Sequence, residues 1–235
     1  MRVLRRPPDS FQAYGFHMSS SSVTPATERP TWRGWFHVGA FALSIPGGIL
    51  LILAADHAAA RVAASIYAAS LLLGFGTSAG YHRLATTERT QAIMQRLDHS
   101  MIFVLIAGSY TPVCLLGLPP AWGIPLLCAV WTFAAVGILL KQFAFERFKV
   151  LEYSLYPILG WSLVVAAPVL LQHMTALELS LLLAGGLLYT IGIPVLVRER
   201  PNPWPRTFGY HEIWHGFTVA AGACHFATMG LLVRG

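Results

Sequence analysis

Residues 121–140 read Ala121-Trp-Gly-Ile-Pro-Leu-Leu-Cys-Ala-Val-Trp-Thr-Phe-Ala-Ala-Val-Gly-Ile-Leu-Leu140, without one charged side chain. An α-helix needs about 20 apolar residues to cross the hydrocarbon core of a bilayer. The stretch is long enough to span, and its Gly and Pro are tolerated there because neighbouring helices re-satisfy freed backbone groups. Working outward, the same pattern recurs at roughly 34–55, 62–82, 98–117, 153–172, 177–197 and 211–232. The intervening breaks are short and either charged (Arg83 to Arg96, Lys141 to Glu152, Arg198 to Arg206) or simple turns near Gly117 and His173. No strand alternation appears, so a barrel is excluded. The sequence predicts an all-α polytopic membrane protein, a bundle of seven transmembrane helices over 33–235. The polar residues 1–32, with Ser19 to Ser22 and no cleavable-signal pattern, read as a disordered cytoplasmic tail.

Composition agrees. The 235 residues are 55% hydrophobic and 11% charged, against about 25% charged in soluble domains, and the mean hydropathy is +0.59. The net charge of +6 gains its meaning from topology. Arg2, Arg5, Arg6, Arg29 and Arg33 precede the first span, and the second, fourth and sixth loops each add three more Lys or Arg. Only Arg61 and Arg234 fall on the other side, so 14 of the 16 basic residues share one face. The positive-inside rule then puts the N-terminus in the cytoplasm and the C-terminus outside. The charge reports orientation, and nothing resembles a nucleic-acid patch, a phosphate loop or a serine triad. Cys114, Cys128 and Cys224 lie in apolar runs and read as small buried hydrophobes.

Ionisable groups inside a span cost about 2.5–3.5 kcal/mol each near its centre and mark function by default. Here they gather at three helix ends on the cytoplasmic side. Ser78 and His82 share a face at the end of span two, Asp98 and His99 open span three, and His211, Glu212 and His215 open span seven. The i, i+4 spacing of His211 and His215 stacks two imidazoles on one helix face. With His82 as a third nitrogen and Asp98 as a carboxylate oxygen, the set suits four-coordinate Zn²⁺. Ser78, one turn below His82, is placed to hold a metal-bound water or a substrate oxygen. His211-Glu-Ile-Trp-His215 also matches HExxH, the metalloprotease helix whose Glu is the general base. That reading leaves His82 unexplained and needs a later Asp motif for which the remaining chain has no room. His225, about 15 Å further along the helix, is too far for the same ion and reads as a buried, hydrogen-bonded histidine. His37, His57 and His173 read as interfacial or exposed, and most Trp as interface anchors. Tyr81 and Tyr210 flank the candidate ligands, and Pro46, Pro112, Pro157, Pro168 and Pro194 read as bends.

Three segments taken in order carry a family resemblance: Ser78-Ala-Gly-Tyr-His82-Arg, the run from Leu97-Asp98-His-Ser to Ser109-Tyr-Thr-Pro112, and Pro201-Asn-Pro-Trp-Pro-Arg through His211-Glu-Ile-Trp-His215. The chain resembles the hemolysin III family, the bacterial branch of the progestin and adiponectin receptor superfamily, over all seven spans. The resemblance implies a seven-helix fold with the N-terminus inside, in agreement with the charge count. It also implies Zn²⁺ held by His82, Asp98, His211 and His215, with Ser78 alongside, in a bacterial cytoplasmic membrane. In the superfamily such a site is associated with hydrolysis of lipid amides, which makes Ser78 and Asp98 the candidate catalytic groups and membrane lipids the candidate partners. The competing reading is a non-enzymatic membrane-homeostasis, sensor or pore-forming (haemolytic) protein with a structural zinc.

Overall fold

The computed structural model describes residues 29–143 and 149–235. The predicted disordered tail therefore lies mostly outside the described residues. Its last part does not hang free: Thr31 and Trp32 donate backbone N–H bonds to the Arg206 and Thr207 carbonyls.

The described residues form helices α1 (Trp35–Leu53), α2 (Ala58–Leu84), α3 (Glu88–Leu116), α4 (Pro120–Phe143), α5 (Lys149–Trp161), α6 (Ala167–His173), α7 (Ala176–Arg198) and α8 (Tyr210–Leu232). Side chains define several of the helix starts. His57 accepts from the Ala60 N–H, and capping boxes pair Thr87 with Thr90 and Thr175 with Glu178, satisfying amide groups that a helix leaves orphaned.

Six rods are long and apolar enough to cross a membrane: α1, α2, α3, α4, α7, and Ser154–His173, which runs from α5 into α6. The chain is thus an all-helical, multi-pass membrane protein. α8 has comparable length, 23 residues, and carries His211, Glu212, His215 and His225 among its apolar residues.

The rods close into a ring. Each packs on its sequence neighbour, and α8 returns to α1 and also touches α3. Small and polar residues face inward: α1 buries His37, Ala40, Ser44 and Gly48, while its Leu43, Leu50 and Leu53 point outward. This inversion of the soluble pattern is expected where lipid is as apolar as leucine and helices associate by close packing. Gly123 shows how close: a Cβ there would overlap the carbonyl oxygen of Cys114. Cys114 is buried, but Cys128 departs from the sequence reading and is exposed on the outer face of α4.

Two ends of the ring can be told apart. Arg29 donates to the Tyr81 and His82 carbonyls at the end of α2, and Arg33 pairs with Glu212 at the start of α8. At the opposite end, the Asp56 N–H between α1 and α2 meets the Val233 carbonyl near the C-terminus.

Among the prolines, Pro46, Pro112, Pro157 and Pro194 sit inside helices that continue through them. Pro168 instead follows a true break, a 3-10 segment over Ser162–Ala166. Tyr110 of α3 secures that break. Its hydroxyl lies 2.9 and 2.8 Å from the Leu159 and Gly160 carbonyls and accepts the Leu163 N–H at 2.8 Å. Tyr110→Phe is expected to cost about 1 kcal/mol, in the range of hydrogen bonds measured within membranes, and to lower Tm by about 2–4 °C. Thermal unfolding in one detergent checks this; an unchanged Tm contradicts it.

Candidate metal centre

The site is assembled at the end of the ring where residues 29–34 cross. α2 brings Ser78 and His82 on one face, and α8 brings His211 and His215 in its first two turns. Glu212 fixes where α8 begins: one carboxylate oxygen accepts the Gly209 N–H at 2.7 Å and the other accepts from Arg33 Nε. Asn202 accepts the next free amide, that of Tyr210. With the start of α8 fixed, the helical repeat turns His211 and His215 together toward α2. Gly34 permits the approach from α1. Its φ is +82°, and a Cβ there would stand 2.6 Å from that of His82, so both the backbone conformation and the space favour glycine.

His82, His211 and His215 converge as the sequence predicts. Each offers one ring nitrogen, and these atoms lie within 4.8 Å of one another. His82 and His215 are buried, and His211 is half-buried. The Nε2 atoms of His82 and His211 are 3.1 Å apart. Two nitrogens bound 2.0–2.1 Å from one tetrahedral ion stand about 3.3–3.4 Å apart, so the spacing is close to that of ligands to a common cation. His215 Nδ1 is buried without a hydrogen-bond partner, a state that is costly unless another group satisfies it. A divalent metal fits this donor set.

Asp98 is not in that group. It is half-buried on α3, its carboxyl within hydrogen-bonding reach of Ser78 and in the field of Lys141. Lys141, counted among loop cations in the sequence, is 2% exposed at the end of α4. α3 packs against both α2 and α8, so the three helices that carry the candidate residues are neighbours as expected, with Asp98 outside the group of histidines.

His37 requires a correction. Read alone it looked interfacial or exposed, yet it is 8% exposed and belongs to the centre of the site. Its ring stacks on His215 with centroids 3.7 Å apart and planes 14° apart. Nδ1 lies 2.8 Å from Ser78 Oγ and Nε2 lies 2.9 Å from Thr218 Oγ1. The missed signal was periodic: His37, Ala40, Ser44 and Gly48 form one small, polar stripe at helical spacing, the face a membrane helix turns inward.

The other expectations divide. His57 and His173 are exposed as read. His225 packs near Tyr189, bonds to Leu182 and lies outside the triad. Tyr81 and Tyr210 do flank the ligands, with ring centroids 4.6 Å from His82 and 5.9 Å from His211. Trp32, Trp35, Trp122, Trp161 and Trp204 are exposed, but Trp131 points inward and donates to Thr111. Glu212 is 0% exposed and committed to Gly209 and Arg33, which removes the free carboxylate that the HExxH reading needs.

The family model described as Haemolysin-III related matches residues 26–226. The chain belongs to that family. It is 36% identical to the Hemolysin-3 homolog of Bacillus subtilis (strain 168) over 187 residues, 78% of this chain and 84% of that one. Identity to the Hemolysin-3 of Bacillus cereus is 38%, covering 78% of this chain and 82% of the relative. A more distant relative is the human monocyte to macrophage differentiation factor, 26% identical over 78% of this chain and 75% of the relative. That match joins the chain to the progestin and adiponectin receptor superfamily.

In this haemolysin-III-related chain the site depends on the Arg33–Glu212 pair. Arg33→Leu leaves the buried carboxylate without its counter-charge, which is expected to cost about 3 kcal/mol. Monodispersity and Tm of the purified variant check this; wild-type stability contradicts it.

Proposed function

We propose that this chain crosses a bacterial cytoplasmic membrane seven times, N-terminus inside, and is a Zn²⁺-dependent hydrolase of a lipid amide or ester at the cytoplasmic face. The orientation rests on the basic residues, 14 of 16 on one side. The chemistry rests on one observation: three imidazoles converge and Asp98 stands apart. Structural zinc sites use four protein ligands, whereas catalytic ones use three and keep a position open.

His82, His211 and His215 would hold the ion. When bound, Zn²⁺ supplies a Lewis acid that polarises a carbonyl oxygen. The chain's own groups do the rest. Asp98, beside Ser78, takes the proton of an attacking water and returns it to the leaving group, the general acid–base role expected of a positioned carboxylate. Ser78 orients the polar part of the lipid. Residues 29–34 and the 199–209 loop cover the cytoplasmic end and limit access of bulk water, while the acyl chains remain in the bilayer.

One observation favours a second reading, a structural metal without catalysis. α8 packs on α7, α1 and α3 and reaches α2 mainly through side chains, among them His82 with His211 and Phe75 over Gly222. An ion would staple those two helices.

The purified chain, reconstituted with a panel of ceramides, other lipid amides and phospholipids, is expected to release fatty acid. Asp98→Asn is expected to slow release by about 100-fold or more, and His211→Ala to abolish it. A stable wild-type protein that releases nothing from any lipid, yet loses thermal stability on chelation, overturns the hydrolase and establishes the staple.

A further inference from the structure

We infer that His37 is a positioning residue of the metal centre: it accepts the hydrogen bond of the Ser78 hydroxyl and fixes the ring plane of His215. The inference starts at Thr218. The Thr218 hydroxyl donates to the His215 carbonyl one turn back at 2.9 Å, so its oxygen meets His37 Nε2 as an acceptor, and Nε2 must carry the ring proton. A neutral imidazole has one N–H. Nδ1 therefore has a lone pair, and at 2.8 Å it accepts from the Ser78 hydroxyl. Two acceptors compete for that single proton, His37 Nδ1 and the Asp98 carboxyl; the bond to Thr218 decides it for His37. Ser78 then presents lone pairs, not a proton, to the rest of the pocket.

The second half concerns the ring itself. His37 covers one face of His215 in a nearly parallel stack, and Phe75 approaches His37 edge-on with centroids 5.2 Å apart. His215 rides on the same helix as Thr218, so a single residue of α1 ties the Ser78 face of α2 to the ligand face of α8. That arrangement does for His215 what a hydrogen-bonded partner does for other metal-bound histidines: it sets ring orientation before the ion arrives. Loss of such partners commonly weakens metal binding by about 10–100-fold. This half rests on the metal-centre reading; the tautomer does not.

The two halves are tested separately on the full chain in nanodiscs. In metal-free, ¹⁵N-histidine-labelled protein, two-bond ¹H–¹⁵N spectra report the His37 tautomer, assigned by its loss in His37→Asn. Nε2–H is expected in the wild type, with a changed spectrum in Thr218→Val; Nδ1–H in the wild type overturns the proton assignment. In Co²⁺-loaded protein, the visible ligand-field bands and a chelator competition report the centre. His37→Phe, which keeps a flat ring over His215, is expected to retain the bands and bind within a few-fold of wild type. His37→Ala is expected to shift the bands and weaken binding about 10–100-fold. Unchanged bands and affinity in His37→Ala overturn the positioning role, as does a Phe variant no better than Ala. If His37→Ala does not fold, the Phe and Asn variants, compared with wild type, still decide. Wild-type protein that binds neither Co²⁺ nor Zn²⁺ refutes the metal centre and leaves the tautomer result standing.

Discussion

Glu212 has no contact with solvent, and the geometry of the site follows from how its carboxylate is satisfied. Removing a carboxylate from water costs several kcal/mol even after relaxation, and only a well-placed counter-charge with further hydrogen bonds offsets it. Arg33 and the Gly209 amide do so here. In doing so they fix three things at once: the first residue of α8, the path of the segment that leads into α1, and the distance between them. His211 and His215 inherit their direction from the start of α8, and His37 inherits its depth from Arg33 one turn earlier. A glutamate that in a metalloprotease helix acts as a base serves here as the anchor that aims its neighbours.

Much of the fold was legible because the bilayer imposes one length and one polarity on every crossing. Six rods follow the apolar stretches read from the sequence closely, within a few residues at most ends. α8 stands apart: it has the length of a crossing, and its first two turns carry the polar residues of the site. The break at 162–166 was not legible. Pro168 marked the neighbourhood, but the break is held by Tyr110, some fifty residues earlier, and such tertiary support leaves no local trace. Lys141 was misplaced for a related reason, since a long cation at a helix end looks the same whether it snorkels outward or folds back among Asp98 and its neighbours.

The histidine triad was legible because its members lie at two helix ends and one pair has i, i+4 spacing. What spacing could not give was the separation of Asp98 from the triad. From sequence, Asp98 looked like a fourth ligand, and four protein ligands describe a closed site. The structure groups three imidazoles and sets the Asp98 carboxyl beside Ser78, outside that group. His37 was missed because it was judged as a single interfacial histidine. Its stripe on α1, shared with Ala40, Ser44 and Gly48, carries the information.

The central claim to test is that three imidazoles share one ion. X-ray absorption at the zinc edge, with metal content determined on the same purified full-length chain, measures this most directly. The account predicts about one Zn²⁺ per chain with three nitrogen scatterers at about 2.0–2.1 Å, lost in both His82→Ala and His211→Ala. A folded chain that retains no zinc and takes none up, or one whose zinc is unaffected by either substitution, contradicts it.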